Sequence, residues 1–382
     1  MAPTKEQIFD SLSAIAGPDG KPLPQSGTLS EIVVSDGKVF FSITVDAGAV
    51  KAWEPVRKRV EDHVRALPGV ASAMVALTAE RAGGRAGGAP APQTHDHAGH
   101  RHGNGHGPAQ GAGPAGVPGV SSIIAVASGK GGVGKSTTAI NIALGLRDLG
   151  LKVGVLDADI YGPSLPKLLA IKERPQTLGG TRLKPISSYG LTVMSIGFLI
   201  EEETPMIWRG PMVMSAITQM LREVEWGTLD VMVVDMPPGT GDAQLTMAQQ
   251  VPLAGAVIVS TPQDLALIDA RRGIAMFKRV NVPVLGIVEN MSYFLCPHCG
   301  ERSDIFGHGG ARKEAERLKV PFLGEVPLDM TIRETSDSGL PVVATRPDGP
   351  HARVYREIAT RVREQIAGSA AARSAPKIVI EA

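Results

Sequence analysis

The octapeptide Gly129-Lys130-Gly131-Gly132-Val133-Gly134-Lys135-Ser136 fits G-x-x-x-x-G-K-[ST], the P-loop pattern. Its flanks fit as well: the apolar β-branched run Ile123, Ile124, Val126 precedes it, and a helical run from Thr137 through Leu149 follows. Glycines ahead of Lys135 allow positive φ and let backbone N–H groups surround phosphate oxygens, while the following helix points its positive end at the same place. The ligand class is therefore a nucleoside polyphosphate, read as ATP. Gly129, Lys130, Gly131, Gly132, Val133, Gly134, Lys135, Ser136 and Thr137 are the expected nucleotide-binding set. Lys135 is expected to reach the β- and γ-phosphates, and the Ser136 hydroxyl to bind Mg²⁺.

From Ser121 onward apolar strand-like runs alternate with helical ones, which predicts an α/β fold with a mostly parallel sheet covered on both faces. Strands are expected at 123–127, 153–156, 193–196, 231–234, 256–260, 284–288 and 322–326, and helices near 137–149, 211–225, 264–280, 311–319 and 351–366. Ligands in such sheets sit at the carboxyl ends of strands. Asp157 and Asp159 fall at one such end; Asp159 is read as orienting the attacking water, with Asp157 in support, although an Asx-turn before Gly162 also explains the pair. Val233-Val234-Asp235 is an apolar strand ending in a carboxylate, so Asp235 is expected beside Ser136 at the Mg²⁺. The following Pro237-Pro238-Gly239-Thr240-Gly241 reads as a loop that senses the γ-phosphate. Asn290 ends a strand and is placed to read a base edge, or is a turn asparagine.

The chain has 382 residues, enough for two domains and a linker, and its 43% hydrophobic and 20% charged residues suit an ordinary soluble protein. A net charge of +1 makes no electrostatic case for bulk nucleic-acid binding. No apolar run reaches membrane-spanning length, and Met1-Ala2-Pro3-Thr4-Lys5-Glu6 is not a signal peptide, so a cytoplasmic location is expected, with no membrane and no specific nucleic-acid partner. Residues 1–80 read as a small α+β domain: a helix around Ile8, Leu12 and Ile15, a hairpin about Ser35-Asp36-Gly37-Lys38, a helix from Val50 to Leu67 and a strand from Val70 to Leu77. No cluster of catalytic residue types lies there. Residues 81–119, rich in Gly, Ala, Pro and His, read as a disordered linker. Its run His95 to His106 holds five of the nine histidines, either a loose metal site or a solvated spacer. Residues 120–367 are the expected P-loop domain and 368–382 a flexible tail.

The only cysteines, Cys296 and Cys299, form C-x-x-C within Cys296-Pro297-His298-Cys299-Gly300. In a reducing compartment that spacing points to metal or redox chemistry. Three readings stay open: a thiol–disulfide site, zinc, or an iron–sulfur cluster. Both metal readings need four thiolates where one chain offers two, so two chains would share one site about a two-fold axis.

The second lysine of the loop, in Lys130-Gly-Gly-x-Gly-Lys135, resembles the deviant Walker A of MinD/ParA ATPases, and residues 128 to about 343 resemble the Mrp/ApbC family of iron–sulfur cluster carriers within that superfamily. The stretches that carry the resemblance are Ser128 to Ser136, Leu156 to Ser164, Trp208 to Pro211, Val234 to Asp242, Val288 to Phe294, Cys296 to Gly300 and Gly324 to Asp329. It implies a homodimer in which Lys130 reaches the partner's phosphates, a [4Fe–4S] cluster held by Cys296 and Cys299 of both chains, slow ATP hydrolysis using Lys130, Lys135 and Asp159, and transfer of the cluster to apoproteins. The order of elements before residue 80 resembles the MIP18-like domain that often precedes this ATPase. A second class of function, a positioning ATPase on membrane or DNA with zinc at the cysteines, would use a basic amphipathic C-terminal helix. The stripe Val354, Ile358, Val362, Ile366 opposite Arg353, Arg356, Arg361 and Arg363 lacks large membrane anchors and reads instead as a docking helix.

Overall fold

The computed structural model describes residues 3–374 except 31, 36, 47, 71, 81–115, 180–181 and 201–209. The His-rich run, Trp208, Arg209 and the final residues 375–382 thus lie outside the described residues. The chain divides into two compact units, Met1–Gly113 and Pro114–Ala382.

In the first unit, α1 (Lys5–Ser11) begins with a capping box: Thr4 N donates to the Gln7 side chain and Gln7 N donates to the Thr4 hydroxyl. The hairpin β1 (Val33–Ser35) and β2 (Lys38–Asp46) forms as the sequence suggests. Helix α2 (Val50–Arg65) then carries the chain to β3 (Ser72–Glu80), which pairs parallel with β2. The alternating Val39, Phe41, Ile43 and Val45 of β2 meet Trp53, Val56, Val60 and Val64 of α2, which recur at helical spacing. Burying each such side chain is worth about 1.5–3 kcal/mol. The one buried carboxylate of the helix, Glu61, is taken by Arg57 at 2.5 Å and Arg65 at 2.7 Å, a structural pairing with no ligand-facing group.

The second unit is an eight-stranded sheet in the order β13-β10-β9-β4-β8-β5-β7-β6. It opens with β4 (Val120–Ala127), α3 (Lys135–Asp148), β5 (Val153–Asp157) and the short α4 (Leu165–Leu168). Next come β6 (Ile186–Ser188), β7 (Leu191–Ser195), α5 (Gly210–Arg222) and β8 (Leu229–Asp235). The chain continues through α6 (Asp242–Gln250), β9 (Leu253–Ser260), α7 (Asp264–Arg279) and β10 (Val284–Glu289). A two-stranded hairpin, β11 (Phe294–Leu295) with β12 (Arg302–Ser303), precedes α8 (Gly310–Leu318) and β13 (Phe322–Glu325). Helices α9 (Met330–Asp337), α10 (Val342–Thr345) and α11 (Pro350–Ser374) close the chain.

All pairings in this sheet are parallel except β6 with β7. Strands buried on both faces read as unbroken apolar runs, which is why β4, β5, β8 and β9 were legible from sequence. The parallel register sets Asp157 beside Asp235 and Val126 beside Asp235, so two carboxylates and the start of the phosphate loop share one edge. No helix of the described residues is long and apolar enough to cross a membrane.

Helix α11 departs from its expected form in two ways. It runs on to Ser374, through part of the segment expected as a flexible tail. Its buried face is Ala352, Tyr355, Ile358, Ala359 and Val362, with Val354 and Ile366 only half-buried. The face turned toward Tyr355 because that ring is fully buried against α3, where a Cβ on Gly145 would come within 2.7 Å of Ala359.

Candidate functional site

The phosphate loop closes on glycines for two separate reasons. Gly132 and Gly134 stand at φ +79° and +76°, a region that L side chains rarely adopt. Gly129 and Gly134 also lie where backbone and neighbours nearly touch: a Cβ would meet the Asp269 backbone at 2.3 Å in the first case and Asn290 Nδ2 at 2.2 Å in the second. Gly131 is unconstrained by neighbours, and Val133 tucks into the core. Lys135 and Ser136 open α3, with Thr137 behind them half-buried.

Lys135 is buried and its Nζ donates to Asp235 Oδ1 at 2.5 Å and to Ser136 Oγ at 3.1 Å. The lysine, hydroxyl and carboxylate named from sequence therefore converge on one point. Asp235 Oδ2 is buried with no hydrogen-bond partner among the described residues. A buried orphan carboxylate oxygen beside a hydroxyl oxygen is the donor set a hard divalent cation takes, so Mg²⁺ fits here through Ser136 and Asp235.

Asp157 is fully buried and accepts from four donors: Ser164 N at 3.0 Å, Leu165 N at 3.2 Å, Asp159 N at 3.1 Å and Ser195 Oγ at 3.0 Å. Burial first, and then the Asp235 carboxylate, push it up to about 7, while the donors and Lys135 pull the other way. Its geometry is that of a clasp that fixes the loop after β5 and caps α4. Asp159 is half-buried; Gly162 N donates to its Oδ1 at 3.3 Å, the Asx-type contact foreseen as the alternative reading. Burial raises its carboxyl above the usual range, with Lys135 opposing.

Lys130 is half-buried, its carbonyl accepts from Ser128 Oγ at 2.9 Å, and its ammonium has no ion-pair partner among the described residues. The Pro-Pro-Gly loop is held at Gly239, whose N–H donates to Ser128 O at 3.0 Å, and at Pro237, whose carbonyl takes the buried Gln244 amide. Gly239 stands at φ +100°.

Asn290 does something other than face outward. Its Nδ2 donates to Val133 O at 2.8 Å and its backbone N–H to Ser260 O at 2.8 Å, so the side chain braces the phosphate loop from behind. Beside it sits Glu289, which sequence reasoning passed over. It is fully buried and accepts from Ser292 Oγ at 2.6 Å, Gly309 N at 3.2 Å and Ala311 N at 2.7 Å. An acid at the end of an apolar strand, the same signal used for Asp235, would have found it. Glu289 thus ties together the entry to the cysteine hairpin and the start of α8.

The hairpin itself is a knuckle. Cys296 N donates to Glu301 O at 2.9 Å, Gly300 N returns to Cys296 O at 2.8 Å, and Gly300 turns at φ +73°. The Cys296 thiol is pulled below its ordinary range, first by the Cys299 N–H and then by that of His298. Cys296 is half-buried, Cys299 exposed, and both are free thiols. Two neighbouring thiols at this spacing match the two ligands that each chain of a shared four-thiolate metal site would have to supply.

The sequence profile of the NUBPL iron-transfer P-loop NTPases (ParA) matches residues 119–363, and a profile of iron–sulfur cluster assembly proteins matches residues 5–75. An iron–sulfur cluster transfer protein NUBPL of Dictyostelium discoideum is 56% identical over 252 residues, covering 65% of this chain and 78% of that one. An iron–sulfur cluster carrier protein of Synechocystis is 41% identical over 374 residues, covering 96% of this chain and 97% of the relative, so the likeness includes the first unit. Among solved structures, a nucleotide-binding protein of Archaeoglobus fulgidus in complex with ADP superposes with a TM-score of 0.55 at 40% identity, covering 62% of this chain and 92% of that one.

Proposed function

The chain belongs to the family of NUBPL-type iron-transfer P-loop NTPases, and from that premise we propose that it carries an iron–sulfur cluster on Cys296 and Cys299 and delivers it to apoproteins under the control of ATP. The observation that carries this reading is the knuckle: two accessible thiols, one with backbone N–H groups directed at its sulfur, on a hairpin rooted at the residues that brace the phosphate loop. One chain supplies two thiolates, so the cluster is shared between two copies, each giving its Cys296 and Cys299, and we take it as the [4Fe–4S] type that the family resemblance implies.

In the same reading the phosphate loop binds ATP through its backbone N–H groups and Lys135. Mg²⁺, when bound, neutralises phosphate charge, with Ser136 and Asp235 as its protein ligands. Lys135 must then leave Asp235 Oδ1, since phosphate and cation compete for both partners. Asp159 orients the water, and Lys130 reaches the partner's phosphates, which makes slow hydrolysis depend on the dimer. Asn290 links these events to the hairpin: a shift of Val133 pulls on Asn290, two residues from Ser292, whose hydroxyl is held by Glu289. A cytoplasmic, reducing location suits thiols that must stay free between deliveries.

Transfer is the test. Protein loaded anaerobically is mixed with an apo-enzyme that needs a [4Fe–4S] cluster, in the presence of an iron chelator, and recovery of that enzyme's activity is followed. Recovery that persists with chelator supports direct hand-over; recovery abolished by chelator means that only released iron was used, and the carrier reading falls.

A further inference from the structure

Beside the cysteine hairpin lies an open cleft of about 290 Å³ that the nucleotide chemistry leaves unused. Its charged and aromatic walls are Tyr293, Arg302, Arg312, Glu325, Glu357 and Arg361. Two of the guanidinium planes are fixed by stacking, Arg302 at 4.4 Å from the Tyr293 ring centroid and Arg312 at 4.3 Å from that of Phe322. Arg302 is turned toward Asp304, at 2.9 Å from its Nε, and His308 Nδ1, at 2.6 Å from its Nη2. Arg312 gives one N–H to Glu325 at 3.0 Å. Arg361 gives one to Leu323 O at 2.6 Å, a carbonyl of the edge strand β13, and has no ion-pair partner among the described residues. A guanidinium carries five N–H donors, so Arg361 and Arg312 keep donors for an incoming acceptor.

The lining carries a positive excess, three arginines against two glutamates, but both signs are present. A phosphate-like polyanion would meet Glu325 and Glu357 as well as the arginines. A peptide matches the mixture better: its side-chain carboxylates suit Arg361 and Arg312, and its backbone N–H groups suit Glu357. Position argues for the same partner. Arg302 pairs across the hairpin with Leu295, the residue before Cys296, so an occupant of the cleft sits next to the thiols. Leu295 and Ile305, on the hairpin and just beyond it, are 46% and 57% exposed apolar side chains.

We propose that this cleft docks an acidic, leucine-type segment of the apoprotein that receives the cluster, its carboxylates on Arg361 and Arg312 and its apolar side chains on Leu295 and Ile305. The proposal rests on the carrier function above and adds to it the surface that recognises the acceptor.

The probe is a short fluorescein-labelled peptide of alternating glutamate and leucine, set beside the same peptide with glutamine for glutamate. Binding to the full-length protein, with and without cluster, is read by anisotropy. The acidic peptide is expected to bind about tenfold more tightly than its glutamine counterpart, and Arg361→Gln or Arg312→Gln to remove most of that difference. Glu357→Gln should tighten the acidic peptide about threefold, a gain that misfolding does not produce. Equal binding of the two peptides, or no effect of all three substitutions, overturns the proposal. Full displacement by millimolar inorganic phosphate overturns it in favour of a small-anion site, and arginine variants that sediment as monomers overturn it in favour of a contact between copies. In the transfer assay, the arginine variants should hold the cluster normally but deliver it about tenfold more slowly. Undiminished delivery sinks the docking site and leaves the carrier function intact. A wild-type protein that delivers nothing removes the carrier function, while the peptide titration still decides whether the cleft binds acidic segments.

Discussion

Replacing Asn290 by alanine separates two jobs that one amide could have, reading a base and bracing the phosphate loop. Asn290 is 6% exposed and its Nδ2 donates to Val133 O at 2.8 Å. Losing that bond strands a buried carbonyl, which costs about 1–3 kcal/mol. If all of it falls on the conformation of the loop, nucleotide affinity drops by about 5- to 150-fold, since each 1.4 kcal/mol is tenfold. The assay is calorimetric titration of ATP and GTP into wild type and Asn290→Ala, with urea unfolding alongside. A brace predicts the same fold-loss for both nucleotides together with lowered stability. A variant of unchanged stability whose ATP-to-GTP ratio shifts would refute the brace and support the base-reading role.

Gly134→Ala should abolish tight nucleotide binding: φ is +76° and the new Cβ would lie 2.2 Å from Asn290 Nδ2, with about 1–2 kcal/mol lost to the left-handed backbone alone. Adding Asn290→Ala to it should recover part of the loss in a double-mutant cycle, and strict additivity would show that the close approach does not matter. Lys130→Ala should bind ATP as the wild-type monomer does while losing dimerisation and hydrolysis, read by sedimentation and phosphate release; a weakened monomeric affinity would assign Lys130 to its own phosphates. For pH, Asp157 has a folded pKa near 7 against an ordinary 3.8, so the fold favours its protonated form. That contribution is complete below about pH 4 and disappears as pH rises through about 7. The nucleotide-free protein should therefore lose stability over that window, and Asp157→Asn should flatten the slope; an unchanged slope would place the titration elsewhere.

What was legible in the sequence is what chemistry constrains locally. A phosphate loop needs glycines at fixed offsets from its lysine, and a carboxylate that faces it follows an apolar strand, so the meeting of Lys135, Ser136 and Asp235 could be expected from sequence, and Cys296 and Cys299 stood out by their spacing. The contacts that sequence did not reveal depend on partners far away in the chain. Asn290 reaches Val133 across 157 residues, and nothing in its neighbourhood reveals which way the amide turns. Asp157 reads from sequence as support for Asp159, and only its four donors, spread over the loop after β5, α4 and β7, show what it holds. Tyr355 is polar by composition yet fully buried in the face of α11, which moved the expected stripe around the helix. Short elements such as β6, α4 and α10 had too few residues to show a period.

The shared cluster on Cys296 and Cys299 is tested most directly by anaerobic reconstitution with iron and sulfide, reading iron and acid-labile sulfide per dimer and the Mössbauer spectrum beside Cys296→Ala and Cys299→Ala. About four irons and four sulfides per dimer, lost in both variants, is the expected result. A colourless protein that instead holds one zinc per dimer would contradict it and leave a zinc-stapled P-loop protein.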